Sequence, residues 1–478
     1  RHHIGFERTL TGALYPDNIG MLYLLAIGLR GASLAQVINW FMGVTVLCAI
    51  WCFCRNYFNC AVGVWAAAFF AFMPVFVFFS PLGYVDIGVA MFQLLGLWAL
   101  YKWLLGGGRG TLLLTAVFMG LAMGSKHTAI FLAIIAAAII GGTSLYRKEG
   151  VRSAAVQVLQ YALVALGLAV PWYARALIEA GNPVWPVANG LFGGLPYGGS
   201  YSVSSGIVAG GSVDFMKRLS DLLASAGASL WAWAWDGRLG WQRATGVYFV
   251  ALLPGLVVYW RQGRVRWMAM VCLVYYLLVV FLIDGNPRYN LAFFALLSIL
   301  AGFIAEQFAR QRLRVLALVF KGIFAATFLA NLGQNYAWAY RAVDYAASSQ
   351  TSEGFLINNE GNYQAFRFVE QHLPPDAKVL LQGIVKGYYC ERLYMWDHPY
   401  QMALQYRDHP TPDDLLGEIR RLGITHIMRM IYIPPGRVKG VGYPQYFADA
   451  QHEAFRKKHL KLLYRDQQYV VFKVVYPA

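Results

Sequence analysis

The sequence predicts a mainly α-helical, polytopic membrane domain followed by a small C-terminal α/β domain outside the membrane. Two observations carry this. The 478 residues are 58% hydrophobic and 16% aromatic with only 13% charged, and a mean hydropathy of +0.46 exceeds what a water-soluble domain tolerates. Apolar runs recur from Leu34 to Leu332, each close to the roughly 20 residues that a helix needs to cross the hydrocarbon core, and the pattern stops at Gln334. A membrane domain over 1–333 and a globular domain over 334–478 follow, the second long enough to bury a core of its own.

About ten spans are expected, over 33–54, 61–79, 87–105, 111–124, 127–142, 154–175, 244–260, 265–283, 289–308 and 313–332. Basic residues gather in alternate connections: Arg55; Lys102 and Arg109; Arg147, Lys148 and Arg152; Arg261, Arg264 and Arg266; Arg310, Arg312 and Arg314. The positive-inside rule makes these cytoplasmic. The opposite connections are then outside: 80–86, the Gly124–His127 turn, the long loop 176–243, 284–288 and everything after 334. The expected location is the cell inner membrane, multi-pass, with the C-terminal domain extracytoplasmic. Met21–Leu29 is too short to span and would break the parity, so it reads as a helix lying at the outer interface. Residues 1–19 also fall outside, so one further span is expected upstream of Arg1.

The long loop is rich in glycine, serine and aromatics, with glycine pairs around Tyr197 and Tyr201. Such a loop serves as a substrate lid whose aromatics stack on sugar faces, or as a plain connector. Val213–Ala226 has helical spacing suited to the interface. In the tail, Lys378–Gln382, Ile424–Met428 and Tyr469–Val475 read as strands, and Gln364–His372 and Pro412–Leu422 as helices. The mixture argues for an α/β domain. It carries no catalytic motif and suits acceptor positioning or a structural cap.

The net charge of +16 does not imply nucleic acid, because basic residues in a membrane protein gather for topology and contact anionic lipid. Five of the six cysteines lie in or beside apolar spans as packing residues, and Cys390 alone lies in the tail, which therefore has no internal disulfide. No zinc spacing, phosphate-binding glycine loop or nucleophile elbow occurs.

Ionisable groups at membrane depth are costly, which makes those that stay there functional candidates. The short outer connections hold Asp86, Lys126, and Asp284 with Arg288 beside Tyr289. One carboxylate is a candidate base or metal ligand, and two cations facing one leaflet suit a lipid-linked phosphate, Arg288 by bidentate contact and Lys126 as a point charge. Each has a plainer alternative. Asp86 could cap the helix starting near Ile87, Lys126 could snorkel to headgroups, Arg288 could pair with Asp284 four residues earlier, and His127 could be a packed neighbour of Lys126.

Tyr84-Val-Asp86, Gly120-Leu-Ala-Met-Gly-Ser-Lys126, Pro171-Trp-Tyr-Ala-Arg175, Gly181-Asn-Pro-Val-Trp-Pro186 and Arg288-Tyr289, in this order, resemble the GT-C membrane glycosyltransferases. The nearest group is the lipopolysaccharide galacturonosyltransferase-like proteins; protein O-mannosyltransferases and the lipid A aminoarabinose transferase are more distant. The similarity runs from Tyr15 to Leu332 and more loosely through the tail. It implies an inverting enzyme that takes a sugar from a polyprenyl phosphate at the outer membrane face and passes it to a cell-envelope acceptor. It also implies that Asp86 is the acidic residue of the second outer loop, that Lys126, Arg288 and Tyr289 meet the donor phosphate, and that Tyr84, Arg175, Tyr197 and Tyr201 belong to the substrate loops. The usual base of the first outer loop should lie upstream of Arg1. Gly20 stands where an acidic residue often precedes the Met-Leu-Tyr sequence, which leaves a divalent cation as an open cofactor.

The chemistry agrees with the residues. Displacement at an anomeric carbon needs a carboxylate for the acceptor's proton and cations for the departing phosphate. A transporter or flippase of a lipid-linked sugar is the rival reading, but it would want charges at mid-membrane and an inverted repeat, and the sequence has neither.

Overall fold

The computed structural model describes residues 14–195, 245, 255–282, 286–310, 314–384, 386–397, 404, 409, 411–431 and 450–477. They fall into two compact units, one including Tyr15–Ala188 and the other Ala342–Ala478.

The first unit is helical. Its elements are α1 (Asn18–Arg30), α2 (Ala32–Tyr57), α3 (Cys60–Ala71), α4 (Pro74–Phe79), α5 (Asp86–Leu104), α6 (Arg109–Met123), α7 (Ala129–Tyr146), α8 (Val151–Ala180), α9 (Gly263–Leu282), a 3-10 turn (Pro287–Asn290), α10 (Leu291–Ala309) and α11 (Arg314–Ala347). Six helices among the described residues are long and apolar enough to cross a membrane: α2, α5, α7, α8, α9 and α10 with its leading turn. The protein is a multi-pass membrane protein. Helices α1, α3 and α6 are shorter apolar helices.

The expected span 61–79 is two helices. Asn59 opens α3 by accepting the Val62 N–H at 2.9 Å. Pro74, in the first turn of α4, has no N–H to continue the ladder. The break leaves the Phe72 carbonyl without its helical partner, and Asn335 Nδ2 of α11 donates to it at 3.3 Å. The apolar run 313–332 lies inside α11, which continues past it to Ala347. The 244–260 run and Val213–Ala226 lie largely or wholly outside the described residues.

Close packing rests on missing side chains. A Cβ on Gly120 of α6 would stand 2.6 Å from the Ala165 carbonyl of α8, and one on Gly302 of α10 would stand 2.7 Å from the Ala66 nitrogen of α3. Between membrane helices, where the lipid is as apolar as the side chains, such backbone approach supplies the packing energy. One apolar core joins α1 to α10.

The second unit contains α12 (Ser352–Asn359), α13 (Tyr363–His372), α14 (Pro412–Arg421), α15 (Ala450–His459) and a five-stranded sheet of order β2-β1-β3-β5-β4. The strands are β1 (Lys378–Gln382), β2 (Leu393–Asp397), β3 (His426–Met430), β4 (Leu460–Arg465) and β5 (Tyr469–Val474). Central β1 is parallel to β2 and β3, while β5 runs antiparallel to β3 and β4. Val379 and Leu381 pack with Phe366 and Val369 of α13, while Leu380 between them packs with Leu416 and Ile419 of α14. Successive strand residues point to opposite faces, so the middle of β1, Val379–Leu381, is apolar because both faces are covered.

Candidate functional site

Asp86, Lys126 and Arg288 lie at one end of the helices. Asp86 is the first residue of α5, Lys126 sits in the turn between α6 and α7, and Arg288 is in the 3-10 turn that leads into α10. They line one cleft together with Val89, Gln93 and Tyr289.

Asp86 does not cap α5. The capping position is Val85, which makes no side-chain bond, and the Asp86 carboxylate is held instead by the Lys126 ammonium in an ion pair. The Asp86 side chain is 3% exposed and that of Lys126 19% exposed. Lys126 is thus drawn into the protein rather than out to headgroups. The partly positive N-terminus of α5 also favours a carboxylate at its first residue.

Tyr289 is shared by both cations. The Lys126 ammonium lies 4.3 Å from its ring centre, and the Arg288 guanidinium 4.8 Å from the same centre. Arg288 also donates to the Tyr289 hydroxyl at 2.8 Å and covers the Tyr84 ring at 5.7 Å. Arg288 Nε is buried and has no hydrogen-bond partner among the described residues. Asn286 fixes the turn by accepting the Arg288 N–H at 3.2 Å. Asp284, the other expected partner of Arg288, lies outside the described residues, as do Tyr197 and Tyr201.

The loop that carries Tyr84 and Asp86 is tied down from α2. Asn39, fully buried, points Nδ2 into the carbonyls of Phe79, Ser80 and Leu82 at 2.9, 3.0 and 2.5 Å. The Tyr23 hydroxyl of α1 lies 2.9 Å from Asn39 Oδ1 and 3.1 Å from the Tyr84 carbonyl, so its single proton serves one or the other. Deeper in the cleft, Gln93 donates to the Tyr275 hydroxyl, and that hydroxyl to the Tyr289 carbonyl, each at 3.4 Å. The sequence reading missed Tyr23, Asn39 and Gln93. The signal available for the last two was a lone amide inside an apolar run.

His127 is a packed neighbour of Lys126. Its ring meets Tyr15 and Tyr173 edge-on at 5.4 and 5.7 Å. Burial, helped by the Lys126 charge, pushes its imidazole down to about 4, so it is neutral at pH 7. Arg175, expected among the substrate loops, is on α8 and is not in the cleft lining; its charge acts on Asp17. Among the described residues no three His, Cys, Asp or Glu side chains group as metal ligands, and Lys126 already occupies the Asp86 carboxylate. The donor set among the described residues does not fit a divalent cation.

The family described as dolichyl-phosphate-mannose-protein mannosyltransferase matches residues 21–174. No curated protein matches the sequence. Among solved structures, ArnT from Cupriavidus metallidurans bound to undecaprenyl phosphate superposes with a TM-score of 0.55 at 12% identity, over 97% of this chain and 89% of that one. The oligosaccharyltransferase AglB from Archaeoglobus fulgidus, in complex with an inhibitory peptide and a dolichol-phosphate, gives 0.56 at 14% identity over 96% of this chain. The present chain spans only 66% of that protein. These likenesses show that the chain has the GT-C fold.

Proposed function

We propose that this protein is an inverting membrane glycosyltransferase that takes a sugar from a polyprenyl-phosphate donor and passes it to a cell-envelope acceptor at the outer face of the membrane. The observation that carries the reading is the pair of cations sharing Tyr289: Lys126 and Arg288 face one cleft, and Arg288 keeps a buried N–H without a partner among the described residues. An unsatisfied buried donor on a cation is a ready anion site. The undecaprenyl phosphate and dolichol-phosphate bound by ArnT and AglB are anions of the required kind.

In this reading Arg288 and Lys126 take the phosphate oxygens. As the bond from the anomeric carbon to phosphate breaks, charge builds on those oxygens, and fixed cations in a poorly hydrated cleft stabilise it with little reorganisation. Asp86 holds Lys126 over the Tyr289 ring before the donor arrives. Tyr84 shields the guanidinium from the other side. A phosphate departs without a strong general acid, so the remaining requirement is a base for the acceptor hydroxyl. By the charge parity of the connections, the cleft and the C-terminal domain both face the outside.

The test compares envelope glycans, by mass spectrometry, from cells with and without the gene, alongside native mass spectrometry of the purified protein with undecaprenyl phosphate. The expected result is a sugar missing from one glycan class and retention of the lipid by the protein. Unchanged glycans together with an accumulated lipid-linked sugar on the inner leaflet would overturn the transferase reading in favour of a flippase.

A further inference from the structure

The C-terminal domain gathers aromatic rings at the edge of its sheet where β1 turns into β2. The Cys390 N–H donates to the Gly387 carbonyl at 3.0 Å and closes a turn with Tyr388 and Tyr389 at its two corners. Tyr389 meets Tyr388 at 5.0 Å and Tyr363, the first residue of α13, at 5.2 Å, edge-on in both cases. Tyr388 is 69% exposed. The turn rests against Tyr394 and Trp396 of edge strand β2, whose rings lie 5.7 Å apart. A Cβ on Gly387 would stand 2.7 Å from the Tyr394 ring and 3.0 Å from Trp396 Nε1, so only a glycine lets the turn lie this close.

The polar groups among these rings cancel in charge, and two of them lack partners. Lys386 Nζ pairs with Glu360 at 2.9 Å. Asn362, 5% exposed, donates from Nδ2 to the Lys386 carbonyl at 3.1 Å, while its buried Oδ1 has no hydrogen-bond partner among the described residues. Trp396 Nε1 is likewise buried without a partner among them. An acceptor beside Lys386 and a donor beside Gly387 are therefore both unanswered, a state that costs stability until a partner arrives. A hydroxyl can donate to the first and accept from the second.

Resting on the reading of the protein as a transferase to an envelope acceptor, we propose that this face of the C-terminal domain binds uncharged pyranose units of a glycan acceptor. A pyranose offers a face of C–H groups and a rim of hydroxyls. The C–H face lies on Tyr388 and Tyr389, which give rigid contact area at a small cost in rotamer entropy. The hydroxyls reach Asn362 Oδ1 and Trp396 Nε1 as the turn at Gly387 shifts to admit them. An acidic sugar gains little here, because Glu360 already holds Lys386. A membrane contact would leave the buried donor and acceptor unanswered, since lipid tails form no hydrogen bonds.

The experiment uses the full chain in lipid nanodiscs, with Tyr388→Ala, Tyr389→Ala and Trp396→Phe. The probe is the lipid-free oligosaccharide released by mild acid from envelope glycolipids of gene-deleted cells, and saturation-transfer NMR reads its contacts and affinity. The C–H protons of its uncharged sugars should receive the saturation. Each tyrosine variant should weaken binding by about 2- to 10-fold, the range for one aromatic contact, and raise the acceptor KM by the same factor with kcat unchanged. Trp396→Phe keeps a ring but loses the N–H, and should also weaken binding by about 2- to 10-fold. All three should bind undecaprenyl phosphate within about twofold of the unmutated protein. The proposal is overturned if the unmutated protein gives no saturation transfer, if only acidic sugars receive it, or if the tyrosine variants bind as the unmutated protein does. It is also overturned if those variants lose kcat with KM unchanged. Shielding of Tyr388 from nitration by nanodisc lipid, with no further shielding by the oligosaccharide, would mark a membrane contact and overturn it too. Failure of the unmutated protein to retain undecaprenyl phosphate would instead strike the donor reading of the cleft, which oligosaccharide binding does not measure.

Discussion

The Lys126 ammonium pairs with Asp86 and lies 4.3 Å from the centre of the Tyr289 ring. Its position is fixed twice, by a carboxylate and by a ring face. Arg288 reaches the same ring at 4.8 Å, so two like charges are kept close by one carboxylate and one aromatic quadrupole. Such an arrangement is costly unless something anionic completes it.

Lys126→Ala and Arg288→Ala should each weaken undecaprenyl phosphate binding by about 10- to 100-fold, the range for one charge-assisted contact. Tyr289→Leu should weaken it less, because both cations remain while only their shared support is lost. Titration of nanodisc-held protein by native mass spectrometry measures all three. A larger change in acceptor KM than in lipid binding would reverse the assignment.

Asp86→Asn should lower transfer by about 10- to 100-fold and lower the thermal midpoint, since the two cations lose their shared carboxylate, while the protein still inserts. The amide retains the shape but releases the ammonium from its fixed place. An unchanged turnover number would reduce Asp86 to a structural group.

Asp17→Asn should raise the thermal midpoint at pH 8 and leave it unchanged at pH 3.5. The folded carboxyl titrates near 6, above its ordinary 3.8, so folding favours the protonated form. The stability from this group is present below the ordinary value and is lost as pH rises through about 6. An amide cannot ionise and escapes the loss. Melting in detergent across this range, followed by intrinsic fluorescence, gives the answer.

Asn39→Leu should destabilise the fold and slow transfer together. It removes the two N–H donors that three carbonyls at the end of α4 and in the loop before α5 share, of which the Phe79 carbonyl keeps the Leu82 N–H. Each buried carbonyl left unpaired costs about 1–3 kcal/mol at most. A lower thermal midpoint with a normal rate at low temperature would show that the loop keeps its shape without Asn39.

The membrane helices were legible because bilayer thickness and backbone satisfaction leave few alternatives for a long apolar run. The break at Pro74 was less so, since the residues on both sides are equally apolar and only the missing N–H separates α3 from α4. In the tail, β1, β3, β5, α13 and α14 follow patterns of the right period, with ends differing by up to two residues. Strand β4 was missed because Leu460-Lys-Leu-Leu-Tyr-Arg465 shifts its alternation at the bulge opposite β5. β2 lies at the sheet edge with its first two residues exposed and so lacks a buried face to mark it. Helix α15 is almost wholly polar, with Phe455 and His459 its buried residues among those described. At the cleft, Asp86, Lys126 and Arg288 stood out as charges beside apolar runs. Tyr23 and Asn39 did not, because their value lies in reaching across to carbonyls 40 to 61 residues away, which no local pattern encodes.

The charged groups lining the cleft among the described residues are one carboxylate, one ammonium and one guanidinium, and together they carry a single net positive charge. A sugar-phosphate lipid is a phosphodiester with one negative charge and would neutralise the cleft. The lipid phosphate left after transfer is a monoester, whose second proton dissociates near pH 6 and which carries about −1.5 to −2 at pH 7. The spent carrier would then be held more tightly than the loaded one. Turnover would slow as carrier accumulates in the leaflet, and the rate of sugar addition would follow the supply of reloaded lipid rather than the amount of enzyme.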